Sequence, residues 1–383
     1  MNHDPKNLKV AILFANYGPY HIARIESAYH FCQSKGWSVF GIELARTEEE
    51  YPWQTKAENF PCDIISVIND CPLEKTKKKQ LFLKLLAILN QTHPDAIAIS
   101  GYSRPSMLIT LLWCIWHRKP AILLSETTEY DEPRSWWKEI IKSLLIKRYK
   151  AALVGGKPHK RYLAKLGMRL DAIFFGYDVV GNNIFHPNLI RTLPRPLATP
   201  YFLAINRFVT KKNLPFLISS YAAYRQAAGT DSWDLVLCGD GELRSQIEQK
   251  IIELQLKDCV HLTGFLQQEQ MLPYFAHANC FIHASIQEQW GLVVNEAMAA
   301  GLPVLVSNRC GCYEDLIVEG VNGFGFDPEN IQQLSDLMLK IGSDSFDLQK
   351  MGDQALEHIQ NFSPSDFARG LMQAVEYARS NRQ

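Results

Sequence analysis

The sequence predicts two doubly wound α/β domains in series, each a parallel sheet covered by helices. Three observations predict it. Short, near-continuous apolar runs alternate with helix-length amphipathic stretches through the first half of the chain. A stretch carrying Pro187, Pro194, Pro196 and Pro200 then interrupts the pattern. Beyond it the same alternation restarts. A strand that is apolar throughout is buried on both faces, as in a parallel sheet with helices above and below. At 383 residues the chain is long enough for two such cores.

In the first half, strands are expected over 10–14, 37–43, 63–68, 96–100, 121–125, 151–154 and 173–176. Helices are expected over 22–35, 76–91 and 136–148, among others. The apolar run 107–116 is too short to cross a bilayer and reads as a buried helix of an α/β layer. In the second half, strands are expected over 201–205, 234–238, 260–262, 280–284 and 304–307. A helix over 215–228 is stopped by Gly229, and a last helix, 364–380, is expected to pack back on the first domain. The domains are therefore drawn as 1–190 and 191–363. In such folds ligands bind at the carboxyl ends of the strands.

Composition narrows the class. Hydrophobic content of 47% and charged content of 21% suit a soluble globular protein. The first residues, Met1 to Lys6, hold no apolar signal core, so a cytoplasmic location is expected. Nine cysteines are scattered without a Cys-x-x-Cys pair; Cys310 and Cys312 find no matching pair, so reduced thiols and no zinc site are expected. The net charge is zero, but residues 1–190 hold 25 Lys+Arg and 18 Asp+Glu, or +7. The remainder hold 40 − 25 = 15 and 40 − 18 = 22, or −7. A basic first half hints at an anionic partner. No nucleic-acid-binding motif accompanies it, and no Gly-x-Gly-x-x-Gly follows the first strand, which argues against a dinucleotide oxidoreductase.

The chemistry is concentrated in Ser285-Ile-Gln-Glu288-Gln289-Trp290-Gly291-Leu292-Val-Val-Asn-Glu296-Ala-Met-Ala-Ala-Gly301-Leu-Pro303-Val304. A strand ends just before it, a loop carries Glu288, and a short helix runs from about 293 to 300. Gly301 stops that helix and Pro303 prevents its return. Its free N–H groups and positive dipole end suit a diphosphate. Glu288 before the helix and Glu296 in its first turn can accept hydrogen bonds from sugar and ribose hydroxyls, and Gly291 permits close backbone approach.

This segment resembles family 4 of the nucleotide-sugar glycosyltransferases, the glycosyl transferases group 1. The shared pattern is two Glu separated by seven residues, an aromatic-Gly after the first, and Ala-Met-Ala-x-Gly-x-Pro-Val after the second. The resemblance implies a GT-B fold, two facing Rossmann-like domains with an interdomain cleft. It implies that Glu288 meets donor-sugar hydroxyls, that Glu296 binds the ribose, and that the backbone from Gln289 through Trp290 and Gly291 to Leu292 meets diphosphate and sugar. Arg207 and Lys212 stand at the family's spacing for gripping the diphosphate, with Asn206 where the family usually has Gly. Cys238-Gly-Asp-Gly-Glu242 and Leu262-Thr-Gly264-Phe265 also resemble the family, the second leading into a loop that lines the base. Phe175-Gly-Tyr-Asp178 resembles its path into the linker, where Asp178 reads as a structural anchor. Gly18 stands where a Gly pair usually faces the donor phosphates. His21, Ser100, Tyr102 and Glu126 lie at strand ends and are acceptor-side candidates by position.

What the resemblance implies is a retaining hexosyltransferase that needs neither divalent metal nor cofactor. Its donor would be a nucleotide sugar, a UDP-sugar by the family's commonest base, and its acceptor a hydroxyl on a lipid or glycan. Arg207, Lys212 and Glu288 would carry the catalysis. The alternatives are a nucleotide-sugar epimerase on the same fold and a non-catalytic sugar-nucleotide binder; the joint presence of Arg207, Lys212, Glu288 and Glu296 speaks against the latter. Finally, residues 134–150 are basic, amphipathic and Trp-bearing, and Lys75, Lys77, Lys78 and Lys79 form a second basic cluster. Both suit an anionic membrane surface, so peripheral docking of the first domain is expected alongside an ordinary sheet-covering role for the helix.

Overall fold

A computed structural model of the chain describes residues 7–48, 61–132 and 134–380. The reading of Met1 to Lys6 as free of a signal core lies outside them. The chain forms two compact units, one taking the residues up to Gly181 and from Phe362 onward, the other Asn182–Asn361.

The strands of the first unit are β1 (Lys9–Phe14), β2 (Ser38–Ala45), β3 (Ile64–Ile68), β4 (Ala96–Ser100), β5 (Ala121–Ser125), β6 (Ala151–Val154) and β7 (Ile173–Phe175). They form one sheet in the order β3-β2-β1-β4-β5-β6-β7, every pair parallel. Its helices are α1 (Pro19–Ser34), α2 (Lys78–Thr92), α3 (Pro105–Trp116), α4 (Trp136–Ile146) and α5 (Lys157–Lys165). Central strands such as Ala96–Ile99 are wholly buried, which explains their unbroken apolar sequence. Leu85 and Leu89 of α2, Met107 and Leu111 of α3, Ile146 of α4 and Tyr162 of α5 share one core layer on one face of the sheet. Ile25, Ala28 and Cys32 of α1 belong to the layer on the other.

One expectation is corrected here. The run 107–116 does not make a helix buried all round. Met107, Leu111 and Cys114 face the core, but Leu112, Ile115 and Trp116 are exposed, the last by 85%. Next in sequence, α4 buries only Ile146 and exposes Trp136, Trp137, Ile140, Ile141 and Leu144. Among the described residues no helix is long and apolar enough to cross a membrane.

The second unit begins with α6 (Asn182–Phe185) and α7 (Pro187–Ile190). The expected boundary after residue 190 differs from the observed division by these two short helices, which pack on the second unit: Phe185 stacks edge-on against Phe275 at 5.4 Å. The strands follow: β8 (Tyr201–Ile205), β9 (Asp234–Cys238), β10 (Val260–Gly264), β11 (Cys280–His283), β12 (Val304–Ser307) and β13 (Gly323–Phe326). Their order is β10-β9-β8-β11-β12-β13, again all parallel. The connecting helices are α8 (Leu214–Ala228), α9 (Arg244–Glu253), α10 (Gln268–His277), α11 (Leu292–Ala299), α12 (Tyr313–Leu316), α13 (Ile331–Ile341) and α14 (Leu348–Ile359).

The chain then returns to the first unit as α15 (Pro364–Ser380). Phe367, Ala368, Leu371, Met372, Val375 and Ala378 are buried in the core layer that holds α1. The approach is close enough to require glycine: a Cβ on Gly370 would lie 2.1 Å from the Phe175 carbonyl oxygen.

Candidate active site

Each sheet reverses its strand order once, between β1 and β4 in the first unit and between β8 and β11 in the second. At such a switch point the connections leave in opposite directions, and a crevice opens at the carboxyl ends of the central strands. The second unit's candidate residues gather at its own switch point: Arg207 and Lys212 follow β8, and Glu288 through Glu296 follow β11.

Two short bonds hold the loops there. After β8 the chain makes a single 3-10 turn, Thr210–Lys212, closed by Asn213 in the left-handed conformation at φ 57°. The Ile286 N–H donates to the Lys211 carbonyl at 2.9 Å, and Asn213 Nδ2 donates to the Pro328 carbonyl at 2.9 Å. Lys212 is thereby presented to Glu288, whose own carbonyl accepts from the Gly311 N–H at 3.0 Å.

The side chains converge on one carboxylate oxygen. Lys212 Nζ pairs with Glu288 Oε2. His283 Nε2 lies 3.3 Å from the same oxygen, and Ser285 Oγ donates to it at 3.2 Å. Burial works against a charge on Glu288, but the His283 hydrogen bond and the Lys212 ammonium overcome it and hold the carboxyl far below its usual range. Burial also pushes the His283 pKa down, against the pull of Glu288, and so favours a neutral imidazole. The result is a fixed anion with a cation beside it, each side chain still 13% exposed.

Beside this pair α11 begins. Gly291 caps it at φ +104°, a conformation that disfavours any side chain; the space itself would admit a Cβ, 3.4 Å from His283 Nε2. No side chain caps the helix; the Val294 N–H donates to the Gly291 carbonyl at 2.9 Å, and the N–H groups of Leu292 and Val293 before it lead the positive end of the dipole. Trp290 is 1% exposed, its Nε1 donates to Asn295 Oδ1 at 2.8 Å and its carbonyl accepts from the Cys312 N–H at 3.2 Å, so the residue is locked in the core. Gln289 is exposed. Glu296 is the fifth helical residue rather than part of the first turn, and it is buried to 1%. Gly264 ends β10 at φ +75°, and Phe265 after it is 47% exposed. Arg207 is half-buried at the end of β8, next to Asn206, whose side-chain O and N are both buried without a hydrogen-bond partner.

In the first unit Gly18 caps α1 at an ordinary φ of −73°. His21 stacks on Phe14 at 3.9 Å and its Nδ1 donates to the Asn16 carbonyl at 2.9 Å. Desolvation, with help from Arg24, pulls its pKa down to about 3. Ser100 and Glu126 end β4 and β5 half-buried, as positioned by sequence. Tyr102, expected alongside them, is 9% exposed and packs into the core layer of α2 and α3, because the chain turns inward after Gly101. Asp178 is fully buried; burial and the neighbouring Glu126 raise its pKa, while Arg24, 3.7 Å away, opposes them.

Residues 186–358 match the family model described as glycosyl transferases group 1. The resemblance read from the Glu288 motif therefore holds across nearly the whole second unit. Over 170 residues the chain is 30% identical to the amylovoran biosynthesis glycosyltransferase AmsK of Erwinia amylovora, covering 43% of this chain and 40% of that protein. Over 238 residues it is 25% identical to the 2-deoxystreptamine N-acetyl-D-glucosaminyltransferase of Niallia circulans, covering 58% of this chain and 60% of that one. The chain thus spans less than two thirds of these curated relatives. Among solved structures it resembles Anabaena Alr3699/HepE, crystallised with UDP and glucose, at TM-score 0.75 and 18% identity over 96% of this chain and 99% of that one. It resembles sucrose-phosphate synthase from Thermosynechococcus elongatus at TM-score 0.73 and 18% identity, over 96% and 98%. These likenesses establish the fold, the α/β GT-B class the sequence predicted.

His283 and Ser285 were missed as site residues. The available signal was positional: a histidine closing the otherwise apolar strand Cys280–His283, five residues before Glu288.

Proposed function

We propose that the chain is a retaining glycosyltransferase that moves a hexose from a nucleotide sugar, a UDP-sugar in the first instance, to a hydroxyl acceptor. The observation that carries this reading is the Lys212–Glu288 pair set beside the uncapped start of α11, at the switch point of the second sheet. A diphosphate placed there meets helix N–H groups and two cations, Lys212 and Arg207. Glu288 stays ionised and accepts hydrogen bonds from the sugar hydroxyls, Glu296 takes the ribose, and the loop of Gly264 and Phe265 lines the base. The bond from the anomeric carbon to the phosphate oxygen breaks as the acceptor oxygen attacks from the same face. The departing phosphate takes the acceptor's proton. The residues contribute positioning and preorganised charge rather than a covalent intermediate, and they require no metal. In the first unit, the family resemblance makes Gly18 the candidate for the donor phosphates and His21, Ser100 and Glu126 the candidates for the acceptor; the buried Tyr102 offers no reachable hydroxyl. The family match supports the transferase reading, and the UDP and glucose bound to a protein of the same fold support the choice of donor.

The test is calorimetric titration of the purified protein with UDP-glucose, UDP, GDP and ADP in the presence of a chelator, repeated on Glu296→Ala. Selective binding of one nucleotide class, weakened about tenfold or more by the substitution, is expected from the loss of a buried hydrogen-bonding carboxylate. A folded protein that binds none of them overturns the reading.

A second reading concerns the acceptor. The outward faces of α3 and α4 expose Leu112, Ile115, Trp116, Trp136, Trp137, Ile140, Ile141 and Leu144, with Arg118, Lys138, Lys147 and Arg148 also exposed on these elements and the turns after them. Apolar rings with cations among them suit an anionic lipid surface, and a lipid or lipid-linked glycan as acceptor follows.

A further inference from the structure

Three donors aim at Glu288, and all of them aim at one oxygen. Lys212 Nζ, Ser285 Oγ and His283 Nε2 all reach Oε2. Among the described residues no donor is bonded to Oε1. A carboxylate pinned in this way cannot rotate without breaking three contacts, and it presents its second oxygen in one direction. Of the three, Lys212 is expected to be drawn to a diphosphate when donor binds. Ser285 is free to swing its hydroxyl, and it also touches His283 Nε2 at 3.2 Å. His283 is the rigid member. It is wholly buried at the end of β11, and its Nδ1 is buried with no hydrogen-bond partner. An imidazole with one partnered and one orphaned nitrogen keeps its proton where the partner is. That places an N–H on Nε2, facing Glu288, and leaves Nδ1 as a bare lone pair against the core.

We infer that His283 is a positioning residue: as the neutral Nε2–H tautomer it fixes the Glu288 carboxylate so that Oε1 stays free for a donor-sugar hydroxyl when Lys212 turns to the diphosphate. The inference rests on the donor site proposed above, but its first test does not. In protein labelled with 15N-histidine, long-range 1H–15N spectra of the ligand-free chain are expected to show His283 as the neutral Nε2–H form at pH 7. Its ring shifts are expected to move in Glu288→Gln. An Nδ1–H tautomer or an imidazolium at pH 7 overturns the inference, whether or not any nucleotide binds.

The second test separates positioning from packing. In His283→Leu the affinity for UDP-glucose is expected to fall about tenfold relative to UDP, the UDP affinity staying within about twofold. His283→Gln, whose amide Nε2–H can reach the same oxygen, is expected to recover most of the loss. Equal loss of UDP and UDP-glucose binding in the Leu variant, or no recovery by Gln with both variants folded, overturns the role. Failure of the wild-type chain to bind either ligand would count against the donor reading instead, and the tautomer measurement would still decide the fate of His283.

Discussion

Lys212 and Glu288, in the second unit, each keep 13% of the side chain open. Arg24 and Asp178, at the carboxyl end of the first sheet, keep 1% and none. Both are cation–carboxyl pairs on loops or helices that leave a parallel sheet, yet their surroundings give them different work. The open pair is ionised, tied by two further donors, and flanked by helix N–H groups, so a ligand can exchange partners with it. In the sealed pair Arg24 Nε bonds the Val179 carbonyl at 3.3 Å and its guanidinium lies 4.7 Å over the Tyr177 ring. That arginine staples α1 to the segment leaving β7. Exposure, more than residue type, separates a pair that a ligand can reach from one that holds the fold.

Breaking the open pair should have the largest effect. Lys212→Ala and Glu288→Ala are each expected to lower kcat by about a hundredfold to a thousandfold, as removal of preorganised charge from an active site does. The double variant should lose roughly the product of the two, since with donor bound Lys212 holds the diphosphate and Glu288 the sugar. Steady-state rates on the three variants check this; a double variant no worse than either single one would show that the two contribute only as a pair. Breaking the sealed pair should act on stability instead. Arg24→Met is expected to cost about 1–3 kcal/mol by removing the bond to the Val179 carbonyl and the contact over the Tyr177 ring. The loss is read from denaturant midpoints. If the variant unfolds no more easily than the parent, Arg24 is not the staple described.

The smallest stability effect sharpens the contrast from outside. Replacing Trp116, Trp136 and Trp137 together by Gln should change the melting temperature little, because exposed side chains away from the core contribute within about 0.5 kcal/mol each. Flotation with vesicles of anionic phospholipid should nevertheless lose the protein from the lipid fraction. Equal flotation of parent and variant would remove the lipid-surface reading.

Much of this was legible in the sequence for a physical reason. Parallel strands buried on both faces leave unbroken apolar runs, so β1, β4, β5, β6, β8, β9 and β12 stood out. β13, Gly323–Phe326, did not, since Gly-Phe-Gly-Phe has two residues with no side chain to signal burial. Glu288 and Lys212 were named through the family resemblance, and the fold brings the two side chains together. His283 and Ser285 were not, because what they do depends on β11 ending beside the loop after β8, a juxtaposition of residues 76 apart between Lys212 and Glu288. For α3 the error had the same origin: periodicity announces an apolar helix, but only the packing decides which of its apolar residues are covered.

The return of α15 to the first unit has a consequence for how the chain comes into being. Asn182–Asn361 is a contiguous stretch and can close its own core as soon as it has left the ribosome. The layer containing α1 cannot, because Phe367, Leu371, Met372 and Val375 must first be synthesised. During translation, then, the later-made unit is finished while the earlier-made one still waits with Ile25 and Ala28 uncovered, and a premature stop after residue 361 would leave a complete second unit tethered to a sheet with one face only partly covered.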